Sequence, residues 1–500
     1  MPAAEAPTAA GILLVLAIIT PFVGVGTALL AGRHAREVVL CFIAAGLVIA
    51  LAIGAAVWNA HAPLGYALGG YAPPLGLALR ADGLSVAMLL IAAAVIALVA
   101  IFAGHAFARD PAAAEQRAPL TFWLLLLAIL GSLNLIFLGR DLFNFYVGLE
   151  LLTFSAVPLV CLKSSPETLR AALRYLIFAL LGSILYLLGV ALLYGAYGVL
   201  DVGLLAEAAR PEPALWIALA LMTAGLMAKT ALFPLHLWLP PAHAGAPPPA
   251  SAILSALVVK GSFFIVLRLW FDVMPTEANR LPPQLLGLLG AGAIIYGSVL
   301  ALQQARLKLL IAYSTVAQIG YLFLMFPLAL GAAEAWESVA FTGGILQLAA
   351  HAFAKAAMFL AAGLIAERLG HDRIDGLAGV AQAMPTTFFA LALAGVSLMG
   401  LPPSGGFSAK WMLLGAAAAE GQWWWAVVIL AGGLIAAAYI FRVVGTTLAA
   451  PAEPLPPTPA AARLQEWAAL GLAAIAILLG FLPLEPWPLL EIGGGPGGAP

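Results

Sequence analysis

Runs of about twenty apolar residues recur from one end of this chain to the other, and a helix of that length crosses the roughly 30 Å hydrocarbon core of a bilayer. Cut at prolines, glycines and charge clusters, the runs fall near 11–31, 38–58, 83–105, 119–139, 142–162, 171–197, 214–239, 250–271, 284–303, 307–330, 338–366, 385–414, 423–448 and 465–484. The pattern predicts an all-α polytopic membrane protein of about fourteen transmembrane helices. Composition agrees: 64% of the 500 residues are hydrophobic and 9% charged, against about 25% charged in soluble proteins. So few charges cannot cover a soluble surface. This argues against a soluble enzyme, a secreted disulfide scaffold and a disordered chain. A net charge of −1 offers no field to attract nucleic acid.

The two cysteines, Cys41 and Cys161, are far apart in apolar runs and read as small buried hydrophobes. No grouped Cys or His suggests a metal, and no dinucleotide, Walker or HExxH motif is present. The expectation is a chain without cofactor or metal. The first run lacks a basic leader and a clear cleavage site, so it reads as a membrane helix. The polar stretches 106–118 and 451–464 are too short for domains, and the tail EIGGGPGGAP reads as disordered.

Loop cations set the orientation. Loops after odd-numbered spans carry thirteen: Arg33, Arg36, Arg109, Arg117, Lys163, Arg170, Arg174, Arg306, Lys308, Arg368, Arg373, Arg442 and Arg463. The other side carries five: Arg80, Arg140, Arg210, Arg268 and Arg280. The richer side is predicted to be cytoplasmic, which puts both termini outside.

Four basic residues remain, Lys229, Lys260, Lys355 and Lys410, and all fall inside predicted spans, as does Glu150. An ionisable group at mid-membrane costs at least ~2.5–3.5 kcal/mol. Each could snorkel to an interface. Five of them in one chain point instead to an ion or proton pathway. His351 and Lys355, four residues apart, share a helix face. A lysine in low dielectric tends to lose its proton, and a nearby carboxylate restores it. A Glu150–Lys229 pair would therefore switch between holding and releasing a proton, with the further lysines and His351 passing it on through bound water.

Two of the spans are interrupted beside such a lysine. Pro234 breaks the seventh, just after Lys229. Pro402, Pro403, Gly405 and Gly406 break the twelfth, just before Lys410. Unwound backbone at membrane depth is tolerated where it lines a wet cavity, and paired interrupted helices mark transport sites. The breaks are five spans apart, which suggests two inverted five-helix repeats with broken seventh and twelfth helices. The chain then divides into an N-terminal three-helix segment (1–118), a first repeat (119–273), a second repeat (284–448) and a C-terminal helix with tail (449–500).

Four stretches carry a resemblance: DLFNFYVGLELL at 141–152, AKTALFPLHLWLPPAHAGAPPPASAILSALVVKG at 228–261, HAFAKAAMFLAAG at 351–363 and GLPPSGGFSAKWMLL at 400–414. Together they resemble the antiporter-like membrane family. That family includes the proton-pumping subunits of respiratory complex I, large subunits of Mrp-type Na⁺/H⁺ antiporters and membrane subunits of energy-converting hydrogenases. The resemblance implies the same repeat fold. It implies that Glu150 and Lys229 are the fifth- and seventh-helix pair, Lys260 the eighth-helix relay group, His351 and Lys355 the central relay, and Lys410 the outlet. Some members carry a second relay histidine one turn before His351, where this chain has Gln347, which cannot titrate. The stretch at 167–201 looks closest to the Mrp D-type subunit, and no long lateral helix like that of the largest complex I subunit is predicted, so that particular identity is not expected.

The expected function is proton conduction in a bacterial-type inner membrane, as a subunit of an Mrp D-like cation/proton antiporter or of a redox-driven pump of the complex I or hydrogenase type. Expected partners are other membrane subunits, the lipid bilayer, and protons with Na⁺ or K⁺ as coupling ion; nucleic acid is not expected. In a redox assembly the electrons would travel through other chains. The rivals are a proton-channel subunit of another transport system, such as inorganic-carbon uptake, and a non-conducting membrane scaffold.

Overall fold

A computed structural model describes residues 8, 10–107, 117–274, 281–330, 335–451 and 463–494. It is a bundle of helices with one small hairpin, Leu64–Ala67 paired antiparallel to Ala78–Ala81. The helices are α1 (Ile12–Ala31), α2 (Ala35–Ala60), α3 (Gly83–Ala106), α4 (Arg117–Leu138), α5 (Leu142–Val160), α6 (Pro166–Tyr197), α7 (Pro213–Thr230), α8 (Leu239–Gly245) and α9 (Pro248–Val273). After them come α10 (Leu281–Gln303), α11 (Leu307–Phe323), α12 (Val339–Leu369), α13 (Pro385–Met399), α14 (Gly405–Ala419), α15 (Trp423–Leu448) and α16 (Arg463–Leu478). Short turns of helix connect some of them.

Among the described residues twelve helical stretches are long and apolar enough to cross a membrane, and they do not match the expected fourteen one for one. Ile12–Ala60 forms a single 49-residue stretch, because only Gly32–His34 turns the chain between α1 and α2. The run expected at 385–414 divides into α13 and α14, fifteen residues each and individually too short.

Helix starts follow local chemistry. Orphan N–H groups at a first turn donate to a capping side-chain oxygen. Asp82 caps α3 through Ser85 N (2.9 Å), Asp141 caps α5 through Phe143 N and Asn144 N (2.9 Å each), and Ser404 caps α14 through Phe407 N (3.1 Å). Ser165 and Thr168 form a capping box at α6.

Burial separates an inner group from an outer one. The most apolar windows of α9 and α12 are wholly buried, whereas only 39% of that of α6 and 33% of that of α15 is buried. An outer helix shows apolar side chains such as Leu181, Ile184 and Leu188, as expected where the solvent is lipid. The inner helices carry the polar groups. The end EIGG (491–494) is not free: Ile492 O accepts from Gly83 N (3.0 Å), and Gly493 O from Arg80 (3.1 Å). Residues 495–500 of the predicted disordered tail lie outside the described residues, as do 108–116 and 452–462 of the two polar stretches.

A buried line of polar groups between two broken helices

The first break separates α7 from α8. Ala231 closes α7 in the left-handed conformation (φ 60°), and a turn through Pro234 leads to α8. Trp238 Nε1 donates to Ala228 O (2.9 Å) near the end of α7, and its ring stacks on Tyr175 at 4.1 Å. The second break separates α13 from α14. Gly400 closes α13 at φ 82°, and Pro402 and Pro403 lie in the gap. Gly405 and Gly406 do not. They form the first turn of α14, because Ser404 already caps that helix.

At the first break Lys229 Nζ lies 3.2 Å from Glu150 Oε1 and 3.0 Å from Thr153 Oγ1, and the Ser183 hydroxyl donates to the same carboxylate oxygen. The pair joins α5 to α7, with α6 alongside. Close packing of α6 on α7 makes this possible: a Cβ at Gly182 would lie 2.6 Å from Gly225 O, and one at Gly225 only 2.3 Å from Gly182 O. Lys229 is 6% exposed and Glu150 15%, so water screens the pair little.

Inward from Lys229 the polar groups continue. Thr230 Oγ1 and Ser262 Oγ are 2.9 Å apart, bridging α7 and α9. Lys260, fully buried, donates to Ser255 O at 2.5 Å. Ser255 lies in a π-helical turn, Leu254–Val258, within α9; such a turn interrupts the i→i−4 ladder and occurs often at functional sites. Its hydroxyl meets Thr315 Oγ1 of α11 at 2.9 Å. Lys355 of α12 donates to Ile311 O (3.0 Å) and to the Ser314 hydroxyl, both on α11. His351 is buried on α12 with neither ring nitrogen hydrogen-bonded, so no hydrogen bond joins it to Lys355 although both lie on one helix.

At the second break Lys410 Nζ donates to Leu398 O (2.7 Å) and Met399 O (3.2 Å), carbonyls at the C-terminal end of α13, and sits 4.6 Å from the Tyr321 ring centroid. The negative end of a helix dipole and an aromatic face both favour a cation.

Several polar residues were not foreseen. His243 on α8 is fully buried, stacked on Phe359, with both ring nitrogens unpaired. Gln318 bridges α12 and α13, accepting from Gln347 Nε2 (2.9 Å) and donating to Leu398 O (3.2 Å). The signal for α11 was readable: Ser314, Gln318 and Tyr321 recur at i, i+4 and i+7 in an apolar helix. Arg268, counted above as a loop cation, is instead buried near the end of α9, 2.7 Å from Asp82 and 3.3 Å from Asp272. Burial drives the Asp82 carboxyl up, but the Arg268 guanidinium and its hydrogen bond outweigh that and hold it below the usual carboxylate value. Lys163, Arg306 and Lys308 line one vestibule, and Arg80, Arg140 and Arg268 another.

Residues 139–436, which include both breaks and all six polar stations, match the family model described as NADH:quinone oxidoreductase/Mrp antiporter, TM. The NADH-quinone oxidoreductase subunit N of Desulforudis audaxviator is 35% identical over 390 residues, 76% of this chain and 75% of the relative. The D-type subunit of the Na(+)/H(+) antiporter of Alkalihalophilus pseudofirmus is 29% identical over 412 residues, 80% of each chain. A chain from the structure of the membrane-bound sulfane sulfur reductase, an archaeal respiratory membrane complex, superposes with a TM-score of 0.84 at 27% identity, covering 94% of both chains. The relatives are subunits of multisubunit membrane complexes. This multi-pass chain belongs to the NADH:quinone oxidoreductase/Mrp antiporter family and is an antiporter-like membrane subunit of the kind found in Mrp and complex I-type proton-translocating complexes.

Proposed function

We propose that the chain conducts protons along the buried line from Glu150 and Lys229 through Lys260 and the His351–Lys355 region to Lys410. The observation that carries this reading is the Glu150–Lys229 contact at 3.2 Å, beyond which lie separate groups of buried hydrogen bonds at Thr230–Ser262 and around Lys260, Ser255 and Lys355. A packing role would not need five ionisable groups at such depth. A lysine in low dielectric holds its proton while a carboxylate faces it and releases it when the carboxylate is neutralised or withdrawn. Lys229 has such a carboxylate. Lys260, Lys355 and Lys410 have carbonyls and hydroxyls, which accept hydrogen bonds without fixing a charge.

Residues 119–273 and 284–448 act as two inverted units, each with one broken helix beside an intramembrane lysine. The membrane is a bacterial-type inner membrane, with the Lys163–Arg306–Lys308 vestibule on the cytoplasmic side and both termini outside. Predicted cytoplasmic cations Lys163, Arg306 and Lys308 lining one cavity, and predicted outer cations Arg80 and Arg140 lining another, support this orientation. The driving reaction belongs to partner subunits, either a cation exchanged for protons or a redox reaction. The subunits that copurify in mild detergent separate the two: small membrane proteins alone, or soluble electron-carrying proteins as well.

The test is proton flux across inside-out vesicles containing the assembled complex. Lys229→Ala and Lys410→Ala should each abolish it while the complex stays intact by size. Normal flux in both would mean that the lysines are relics in a scaffold and would end the proposal.

A further inference from the structure

Between Lys355 and Lys410 the line runs past Gln347, an amide that cannot titrate. The space is framed by one face of α11, where Ser314, Gln318 and Tyr321 recur at i, i+4 and i+7 over about 10 Å. Lys355 donates to Ser314 at one end of this face, and Lys410 lies over the Tyr321 ring at the other. Gln318 links them in geometry, since it donates to Leu398 O, the carbonyl that also accepts from Lys410. An amide neither gains nor loses a proton near neutral pH. The Gln347–Gln318 pair can orient a proton's path but cannot carry the proton.

Opposite this face stands Tyr439 of α15. Its ring is fully buried, and its hydroxyl faces Ser314 and Gln318 without a hydrogen bond of good geometry to any group. Gln347 Oε1 and Ser397 Oγ are also buried and unpaired. Buried polar atoms are nearly always satisfied by protein or water, so the unpaired Tyr439 hydroxyl and Gln347 Oε1, both on residues that meet Gln318, mark places for bound water. A hydroxyl differs from an amide in the way that matters: it accepts one proton while releasing another.

We propose that the Tyr439 hydroxyl, with water held by the Gln318–Gln347 amides, carries protons between Lys355 and Lys410. An ammonium proton of Lys355 passes to the Ser314 oxygen as the Ser314 hydroxyl proton leaves. The Tyr439 oxygen takes that proton and releases its own to the water, and the water delivers one to the neutral amine of Lys410. Lys355 ends as a free amine and Lys410 as an ammonium, and both hydroxyls and the water end neutral.

This inference rests on the proton path proposed above, and the test keeps the two apart. Proton flux is measured in inside-out vesicles of the intact complex for Lys229→Ala, Tyr439→Phe, and Tyr439→Phe combined with Gln347→His. Tyr439→Phe keeps the ring and its packing and should lower flux about tenfold or more. Adding Gln347→His places a titratable ring one turn from His351 and should restore most of the flux. Unchanged flux in Tyr439→Phe, with Lys229→Ala still inactive, overturns the Tyr439 role and leaves the path standing. A loss that Gln347→His does not repair assigns Tyr439 to packing and also overturns it. Normal flux in Lys229→Ala removes the path itself and the inference with it.

Discussion

The two broken helices place a lysine beside unwound backbone in different ways. At the first break the cation faces a carboxylate, Glu150, supplied by another helix. At the second, Lys410 has the last carbonyls of α13 and the Tyr321 ring, and no acid among the described residues within salt-bridge distance. Partial charges hold an ammonium without committing it to stay charged, whereas a full carboxylate favours the charged form strongly until it is neutralised. The first site is therefore suited to gating by a charge and the second to release. The closures differ too: an alanine takes the left-handed position at the first break and a glycine at the second.

Substitutions break or sharpen this contrast. The largest effect is expected from removing either amine. Lys229→Ala or Lys410→Ala should lower proton flux about a hundredfold or more, measured in energised vesicles; a large loss at only one of them would mean that the two ends do not serve one path. Glu150→Gln should act at the first end alone. It leaves the buried Lys229 amine without its counter-charge and should lower flux about tenfold. It should also destabilise the folded chain by roughly 3 kcal/mol, read as a thermal shift in detergent. An unshifted melting curve would show that the pair contributes little.

A smaller effect tests the packing beneath the first pair. Gly225→Ala puts a methyl group against Gly182 O, so α7 must move off α6 at a cost of about 1–3 kcal/mol. If thermal stability is unchanged, the close approach is not what seats Lys229. The smallest effects come from exchanging the closures. Ala231→Gly relieves a left-handed alanine and should stabilise by about 1 kcal/mol. Gly400→Ala should cost about 1–2 kcal/mol, and its Cβ would meet the Lys410 side chain at 2.7 Å. Opposite signs in paired thermal melts are the expected result, and equal signs would contradict the described backbone.

Much of the architecture was readable because hydrocarbon is an unforgiving solvent. Lys229, Lys260, Lys355 and Lys410 stood out at once, since an ion at that depth is costly, and prolines inside two spans located the breaks. Helix boundaries were less legible: Gly405 and Gly406 read as part of a gap, but Ser404 makes them the start of a helix. The same limit affected Arg268. Its place near the end of a run suggested a loop, whereas Asp82 and Asp272 pair with it in the interior.

The sequence by itself determined the environment, most of the helices and the depth of Glu150 and the four lysines, because transfer cost depends on residue type and run length. Only the tertiary structure decided which groups meet. Glu150 and Lys229 are 79 positions apart, and no periodicity within one helix relates them. His351 and Lys355 share a helix face, yet Lys355 turns to α11 for its partners. Spacing predicts neighbours along one helix. Hydrogen-bond partners between helices depend on how closely two backbones approach, and that is settled where glycines such as Gly182 and Gly225 let them touch.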